Sequence, residues 1–246
     1  MKISIITVTY NAEKLVERTV KSVLAQTFSS IEYIIIDGAS VDGTLWIIEK
    51  YKPRIQKVIS EMDKGIYDAM NKGLQVATGD YVLFLNAGDE FYSDTTLNDV
   101  FSSSSDADVY YGNTKVVDLY GNEIGDRRLK PPEKLNWKSF MFGMSVSHQS
   151  FIAKRSLCDV YDLRYSISAD IDWVIKILKK SHKIENTKRY ISKFLEGGTS
   201  SRTRPKALAE RFSIMVKHYG WFVTICIHVY ILFRYPFHKF TRKSMT

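Results

Sequence analysis

The chain has 246 residues, of which 45% are hydrophobic and 25% charged, which excludes a wholly disordered, collagen-like or coiled-coil protein. Two cysteines, Cys158 and Cys226, are too few for a disulfide framework. The net charge of +8 resides in residues 201–246, where nine basic residues accompany one acid. A basic segment after a neutral one predicts contact with an anionic surface, and no nucleic-acid motif accompanies the charge.

Apolar runs alternate with helical stripes over roughly the first 90 residues. Asn11 and Thr44 stand where helix N-caps are expected. Strands are predicted at Lys2–Val8, Ile31–Ile36, Ile55–Ile59 and Tyr81–Leu85, and helices at about 15–26, Leu45–Tyr51 and Ile66–Val76. This alternation indicates an α/β fold in which helices cover both faces of a mostly parallel sheet.

The second half of the chain has shorter and less regular patterns. Pro205 and Gly220 are predicted to begin and end a helix. Further elements are predicted as strands at Asp108–Tyr111, Lys115–Leu119 and Ser147–Ala153, a turn at Tyr120–Asn122 and a helix at Asp170–Lys179.

Polar side chains follow the carboxyl ends of four predicted strands, where open parallel sheets bind ligands. These segments are Thr9–Asn11, Asp37–Thr44, Glu61–Gly65 and Asn86–Glu90. The chain lacks the glycine-rich motifs of dinucleotide and P-loop sites and the G-x-S-x-G motif of hydrolases. Carboxylates and hydroxyls at this edge suit Mg²⁺ or Mn²⁺ that holds a diphosphate.

Several linked motifs resemble those of family 2 glycosyltransferases with the GT-A fold, above all bacterial enzymes that build surface polysaccharides of the colanic-acid type. The matching segments are Ile3–Asn11, Ser22–Thr27, Ile34–Ser40, Ser60–Gly73 and Leu83–Asp89. The resemblance implies a Rossmann-like, mostly parallel central sheet flanked by helices, with a C-terminal helical extension. It also implies that a sugar moves, with inversion, from a nucleotide-diphosphate donor such as a UDP-sugar to a hydroxyl of a glycan or lipid-linked acceptor.

On this resemblance, residues 1–200 are expected to form the catalytic domain, with a nucleotide-sugar half at about 1–95 and an acceptor half at 96–200. Residues 201–246 form a basic, apolar helical tail in this interpretation. The resemblance implies a nucleotide-sugar site made by Thr9, Tyr10, Asp37, Ser40, Asp63, Lys64, Asn86 and His148. Tyr10 is expected to stack on the base and Lys64 to lie near phosphate.

Two acids receive specific roles from the same resemblance. The family has Asp-x-Asp or Asp-x-Asp-Asp after the fourth strand, whereas this chain has Asn86-Ala87-Gly88-Asp89. Asp89 is therefore the expected ligand of Mg²⁺ or Mn²⁺, at a site with fewer carboxylates than usual. Asp170 matches the position of the general base, with Asp172 as the second candidate; a helix-capping role for Asp170 is the structural alternative.

The segment Trp221–Phe233 is nearly all apolar, yet shorter than the ~20 residues that span a bilayer. Basic and aromatic residues follow it, which favours attachment of 221–246 to an anionic membrane surface. A helix packed on the domain or a homo-oligomer interface is the alternative. The N-terminus lacks signal-peptide features, so we expect a cytoplasmic enzyme on the inner face of the membrane.

Two other functions fit parts of the pattern. A nucleotidyltransferase would need a basic, glycine-rich loop after the first strand, where this chain has Thr9-Tyr10-Asn11. A non-catalytic family member that binds a partner would tolerate the altered motif at Asn86–Asp89.

Overall fold

The computed structural model describes residues 1–102, 106–197 and 204–231. These residues form a nine-stranded sheet flanked by helices. The strands are β1 Ile3–Thr9, β2 Ile31–Asp37, β3 Lys57–Ser60, β4 Tyr81–Phe84, β5 Glu90–Phe91, β6 Val109–Val117, β7 Glu123–Asp126, β8 Phe151–Lys154 and β9 Ile184–Leu195. The helices are α1 Val16–Leu24, α2 Thr44–Tyr51, α3 Ile66–Val76, α4 Thr96–Ser102, α5 Ala169–Lys180, α6 Arg204–Tyr219 and α7 at 221–231.

The first half is the predicted parallel sheet. Strands β3, β2, β1 and β4 lie side by side and run parallel. Because successive residues of a strand point to opposite faces, Ile3 and Ile5 of β1 join one buried cluster while Ile6 and Val8 join the other. The sheet is therefore buried on both faces, as its nearly continuous apolar strands predict.

The second half differs from the predicted pattern of short strands. Strand β6 is continuous through the two predicted segments and pairs with β8 antiparallel and with β9 parallel. Strand β9 was not predicted, because charged and amide side chains interrupt its apolar residues. Strand β8 starts later than predicted, since His148–Ser150 form a 3₁₀ turn before it.

The two predicted helix caps are wrong. Asn11 adopts a left-handed conformation with φ 46° and accepts a 2.9 Å hydrogen bond from the Val41 amide, so it holds a loop rather than α1. At α2 the acceptor is Asp42, whose carboxylate is 3.0 Å from the Thr44 amide nitrogen. Short polar side chains support turns as readily as helix ends, which is why the sequence pattern did not separate the two roles.

Helix α6 packs on α5 through the buried Asp172, which lies 2.7 Å from Nε2 of His218 and 2.8 Å from Nζ of Lys217. Gly220, with φ 84°, ends α6 as predicted and turns the chain into α7. None of the helices in the described residues combines the length and the apolar character needed to cross a bilayer. The basic residues predicted to follow α7 lie in 232–246, outside the described part of the chain.

Candidate active site

The parallel order of β3, β2, β1 and β4 brings the predicted polar segments to one edge of the sheet. Thr9 and Asp37 end β1 and β2 as register partners. Asn86 follows β4 by two residues, and Asp63 follows β3 by three. The hydroxyl of Thr9 is buried without a hydrogen-bond partner among the described residues.

Asp37 is buried and organises the loop that follows β2. Its carboxylate accepts hydrogen bonds from the Ser40 amide at 2.9 Å, from the Ser40 hydroxyl and from the Ser60 hydroxyl at 2.7 Å. The Ser40 oxygen in turn accepts a 2.8 Å bond from the Asn11 amide. Asp37 and Ser40 are thus in direct contact, and the Asp37 carboxylate is wholly buried beneath the loop.

Tyr10 and Asp63 meet over Gly38. A Cβ atom on Gly38 would collide with a carboxylate oxygen of Asp63 and lie 3.3 Å from the Tyr10 ring. Asp63 therefore occupies the space that a side chain at position 38 would fill, and Gly38 leaves room for it. The Tyr10 ring is 63% exposed, so its face is open to a planar ligand.

The Lys64 side chain is exposed, and no described contact joins it to the other candidate residues. Its backbone amide donates a 2.9 Å hydrogen bond to Asp68, and the next amide, that of Gly65, donates to Asp63 at 2.8 Å. Lys64 is consequently held at its backbone, and its side chain is exposed.

A second group connects the end of β4 to the start of α5. Nδ2 of Asn86 lies 3.2 Å from Nε2 of His148, and Nδ1 of His148 lies 3.7 Å from the Asp170 carboxylate. The Tyr67 hydroxyl donates to the Ile167 carbonyl oxygen at 2.8 Å and to the Asp170 carboxylate at 3.1 Å, so its one proton is shared between two acceptors. Burial, with a further contribution from the Asp170 charge, raises the pKa of Tyr67 well above its ordinary value, which keeps Tyr67 a donor. Oδ1 of Asn86 is buried without a partner among the described residues.

Asp89 is buried, and its carboxylate is hydrogen-bonded within the protein. Its side chain accepts 2.8 Å and 3.2 Å hydrogen bonds from the Gln149 amide group and the Leu195 backbone amide. Burial raises its pKa to about 6. One carboxylate oxygen thus binds the turn before β8 and the other binds the end of β9, and the described residues contain no group of three metal-ligating side chains.

Asp170 and Asp172 share the first turn of α5 but point to different surroundings. The Asp170 side chain is 19% exposed, whereas that of Asp172 is 1% exposed. Although burial acts to raise the pKa of Asp172, hydrogen bonds from His218, Lys176 and Lys217 hold it well below its usual range. Asp172 therefore joins α5 to α6, and Asp170 is the acid that faces the site.

Sequence reasoning missed Tyr67 as a partner of Asp170. Tyr67 stands in the first turn of α3, directly after the β3 segment at the sheet edge. A buried phenol at such a place needs a hydrogen-bond acceptor, and here the Ile167 carbonyl oxygen and the Asp170 carboxylate both serve. The apolar stripe of α3 gave no indication of it, because a tyrosine ring also fits a core position.

The glycosyl transferase family 2 model matches residues 4–161 of the chain. A PGL/p-HBAD biosynthesis glycosyltransferase from Mycobacterium bovis is 31% identical over 181 residues, which cover 70% of this chain and 68% of the relative. The putative teichuronic acid biosynthesis glycosyltransferase TuaG from Bacillus subtilis is 42% identical over 95 residues, or 37% of this chain and 38% of TuaG.

Two solved structures share the fold. S. aureus TarS 1–349 in complex with UDP has a TM-score of 0.71 at 21% identity, covering 89% of this chain and 65% of that chain. The mannosyltransferase PcManGT from Pyrobaculum calidifontis, in complex with GDP-Man and Mn²⁺, has a TM-score of 0.65 at 18% identity, covering 88% of this chain and 64% of that one. The chain thus spans a little less than two thirds of each solved chain, and the predicted GT-A fold is confirmed.

Proposed function

The chain belongs to glycosyltransferase family 2, and from that premise we propose that it moves a sugar from a UDP-sugar to a hydroxyl of a glycan or lipid-linked acceptor, with inversion at the anomeric carbon. Relatives named for teichuronic acid and for PGL/p-HBAD biosynthesis support an acceptor of the bacterial envelope. A TarS structure with UDP-GlcNAc supports a uridine donor. The single observation that carries the mechanism is the partly exposed Asp170, which contacts Tyr67 beside His148.

In this mechanism Asp170 is the general base. It takes the proton of the acceptor hydroxyl while the acceptor oxygen bonds to the anomeric carbon and the bond to the nucleoside diphosphate breaks. The diphosphate leaves with the electrons of that bond, and attack from the opposite face inverts the anomeric centre. Tyr67, whose hydroxyl is shared between the Ile167 carbonyl oxygen and Asp170, helps to position one carboxylate oxygen, and the other lies 3.7 Å from His148.

The donor is proposed to bind across the ends of β1 to β4. Tyr10 offers an exposed ring for the base, and Asp63 stands beside it with a partly exposed carboxylate. Thr9 and Asn86 each carry a buried oxygen without a partner among the described residues, which is the feature expected of atoms that a bound sugar or ribose satisfies. The long side chain of Lys64 would reach the diphosphate.

A divalent cation fits the described residues poorly. Asp89, the predicted ligand, has both oxygens hydrogen-bonded and is 5% exposed. Mg²⁺ and Mn²⁺ take about six oxygen ligands, so a cation here would depend on diphosphate oxygens and on movement of Asp89. The Mn²⁺ of PcManGT is consistent with cation use in this fold, but no step proposed above passes through a metal.

Attachment to an anionic membrane surface is proposed for the C-terminal segment. On α7, Thr224 and Ile227 are buried against the protein, whereas Phe222 is 80% and Ile225 41% exposed. An apolar helix face that remains open and is followed by basic residues in 232–246 matches the chemistry of a peripheral membrane anchor. Such an anchor would place the enzyme on the inner face of the membrane, near lipid-linked acceptors.

A panel of nucleotide sugars tests the function. The full-length protein is incubated with UDP-, GDP- and dTDP-sugars, with Mn²⁺ or with EDTA, and release of the nucleoside diphosphate is measured. We expect hydrolysis of at least one UDP-sugar and thermal stabilisation by UDP. Absence of both would support a non-catalytic family member instead.

A further inference from the structure

A cavity of about 520 Å³ lies beside the hairpin that β6 and β7 form. Apolar and basic side chains share its wall, namely Leu129, Phe142, Phe194, Arg127, Arg128 and Arg211. Hairpin, loop and α6 therefore each contribute to one concave surface. Apolar walls next to guanidinium groups exclude water and strengthen the attraction of an arginine for an anion.

Two arginines of this cavity lack an acidic partner. Nη2 of Arg127 donates to the Met144 carbonyl oxygen at 3.2 Å, and among the described residues no carboxylate forms an ion pair with Arg127 or Arg211. Asp126 also lines the cavity, but Lys115 binds its carboxylate at 3.0 Å. Glu196 is the remaining acid of the lining. Arg127 is partly buried and Arg211 is exposed, and guanidinium groups without an acidic partner are available to bind an anion.

The cavity is electrostatically connected to the proposed base. Burial lowers the pKa of Arg127, the Asp170 carboxylate acts to raise it, and the positive charge of Arg211 acts to lower it further. Arg127 and Arg211 both line the cavity, and Glu210, the residue before Arg211, accepts a 2.9 Å hydrogen bond from the amide of Ser168, two residues before Asp170. A molecule held by the arginines would therefore lie near the start of α5, where Asp170 stands.

We propose that Arg127 and Arg211 bind an anionic group of the acceptor, a phosphate or a carboxylate, and so direct a neighbouring hydroxyl toward Asp170. The inference rests on the proposed function and adds the chemical class of the acceptor. Arginine suits both groups, because its planar guanidinium donates two parallel hydrogen bonds to a pair of anionic oxygens. The same anion chemistry occurs in a phosphate-linked carrier or glycan and in the uronic acid of an acidic polysaccharide.

The test measures binding of three sugars that differ at one position: methyl glucoside 6-phosphate, methyl glucuronoside and uncharged methyl glucoside. The full-length protein is saturated with UDP so that the donor site does not compete, and affinities are taken by calorimetry. We expect at least one anionic sugar to bind about tenfold more tightly than the neutral one, the value of one charge-assisted hydrogen-bonded pair. Tighter binding of the 6-phosphate would identify a phosphate group on the acceptor, and tighter binding of the glucuronoside would identify a uronic acid.

Three variants give the test its specificity. Arg127→Gln and Arg211→Gln should each reduce the preference for the anionic sugar to nearly one, whereas Arg189→Gln, at an exposed arginine of β9, should leave it unchanged. Arg211 is exposed and makes no described hydrogen bond, so its variant should fold even if the Arg127 variant does not. Equal binding of all three sugars, or equal losses in the Arg189 variant, would overturn the proposal. Because these measurements need no turnover, failure of the enzyme to hydrolyse any nucleotide sugar would be recognised separately.

Discussion

The Glu210 carboxylate in α6 accepts a 2.9 Å hydrogen bond from the backbone amide of Ser168, the residue directly before α5. The same carboxylate accepts from the amides of Ser166 and Ile167, each at 2.9 Å. Although burial acts to raise the pKa of Glu210, these bonds lower it, so the carboxylate stays ionised. The single acid of the basic C-terminal segment thus holds the loop that leads into the helix of Asp170.

Replacing Glu210 with alanine should impair both stability and transfer. Three backbone amides lose their acceptor, and an unsatisfied buried donor costs ~1–3 kcal/mol, so the free energy of unfolding should fall by about 3 kcal/mol. Urea denaturation measures this loss. Transfer should fall more than UDP affinity, since the altered loop positions Asp170 and not the donor. Glu210→Gln should retain part of the stability and part of the transfer rate. An unchanged transfer rate in Glu210→Ala would mean that α6 does not help to position the active site.

The parallel half of the sheet was readable from sequence because its strands are buried on both faces and its helices carry apolar stripes. Strand β9 was not, because its outward side chains are polar and its pairing with β6 is a tertiary property. The same limit applies to the site. Asp89 and the Leu195 amide are 106 residues apart, so no local pattern could indicate that they bond.

Asp170→Asn should reduce transfer by ~10²–10⁴-fold, the usual cost of removing a general base. UDP affinity should change little, because the base acts on the acceptor. Steady-state rates with saturating UDP-sugar and calorimetry with UDP measure the two quantities. A nearly normal transfer rate in Asp170→Asn would mean that another residue is the general base.

Asp172→Asn provides the matched comparison on the same helix turn. Its carboxylate is buried among His218, Lys217 and Lys176, and removing one member of such a buried network costs ~3–5 kcal/mol. We expect a lower midpoint of thermal unfolding with a nearly normal rate per folded molecule at low temperature. A folded and stable but inactive Asp172→Asn protein would mean that Asp172, rather than Asp170, is the general base.

Asp89→Asn should weaken UDP binding by the same factor in Mn²⁺ and in EDTA. The reason is that Asp89 supports Gln149 and the end of β9 in either condition, and these contacts need no cation. Calorimetry with UDP in both buffers makes the comparison, with wild type as the control. A loss confined to Mn²⁺ would instead show that Asp89 moves and binds the cation as the family resemblance implies.

Glu32 should make the protein sensitive to acid. Burial acts to raise its pKa, but hydrogen bonds from the Ser4 hydroxyl, from the amide and hydroxyl of Thr78 and from Lys2 lower it to about 2 from an ordinary 4.5. Because the folded state holds the proton less tightly, this stabilisation is complete above pH 4.5 and is lost as the pH falls toward 2. The difference between the two pKa values corresponds to roughly 3 kcal/mol in the free energy of unfolding.

Urea denaturation of Glu32→Gln between pH 3 and 7 checks this expectation. The variant should be less stable than wild type at pH 7, and the difference should narrow as the pH is lowered. Glu49→Gln is the control, because the Glu49 side chain is 65% exposed in a surface ion pair. A difference that stays constant over the whole range would mean that Glu32 acts through packing rather than through its charge.

The C-terminal segment should bind anionic vesicles through two separable contributions. Phe222 and Ile225 offer exposed apolar surface on α7, and four basic residues lie in 232–246. Deleting 232–246 should abolish the salt-sensitive part, since each basic residue near an anionic surface contributes ~1 kcal/mol. Phe222→Ser with Ile225→Ser should instead reduce the part that persists at high salt. Co-sedimentation with vesicles that contain phosphatidylglycerol, at 50 and 500 mM salt, resolves the two.

Transfer to a short soluble acceptor should survive in both tail variants, because neither change touches the sheet edge or Asp170. Trp221→Ser is unsuitable as a control, since its ring packs on Phe212 of α6. Leu119→Ser is suitable, because Leu119 is 67% exposed in the turn between β6 and β7, outside the segments of the proposed site. If the full-length protein ignores anionic vesicles at 50 mM salt while light scattering shows a dimer that Phe222→Ser dissociates, then the exposed face of α7 is a subunit interface. The net positive charge of residues 201–246 would in that case serve a partner other than an anionic membrane.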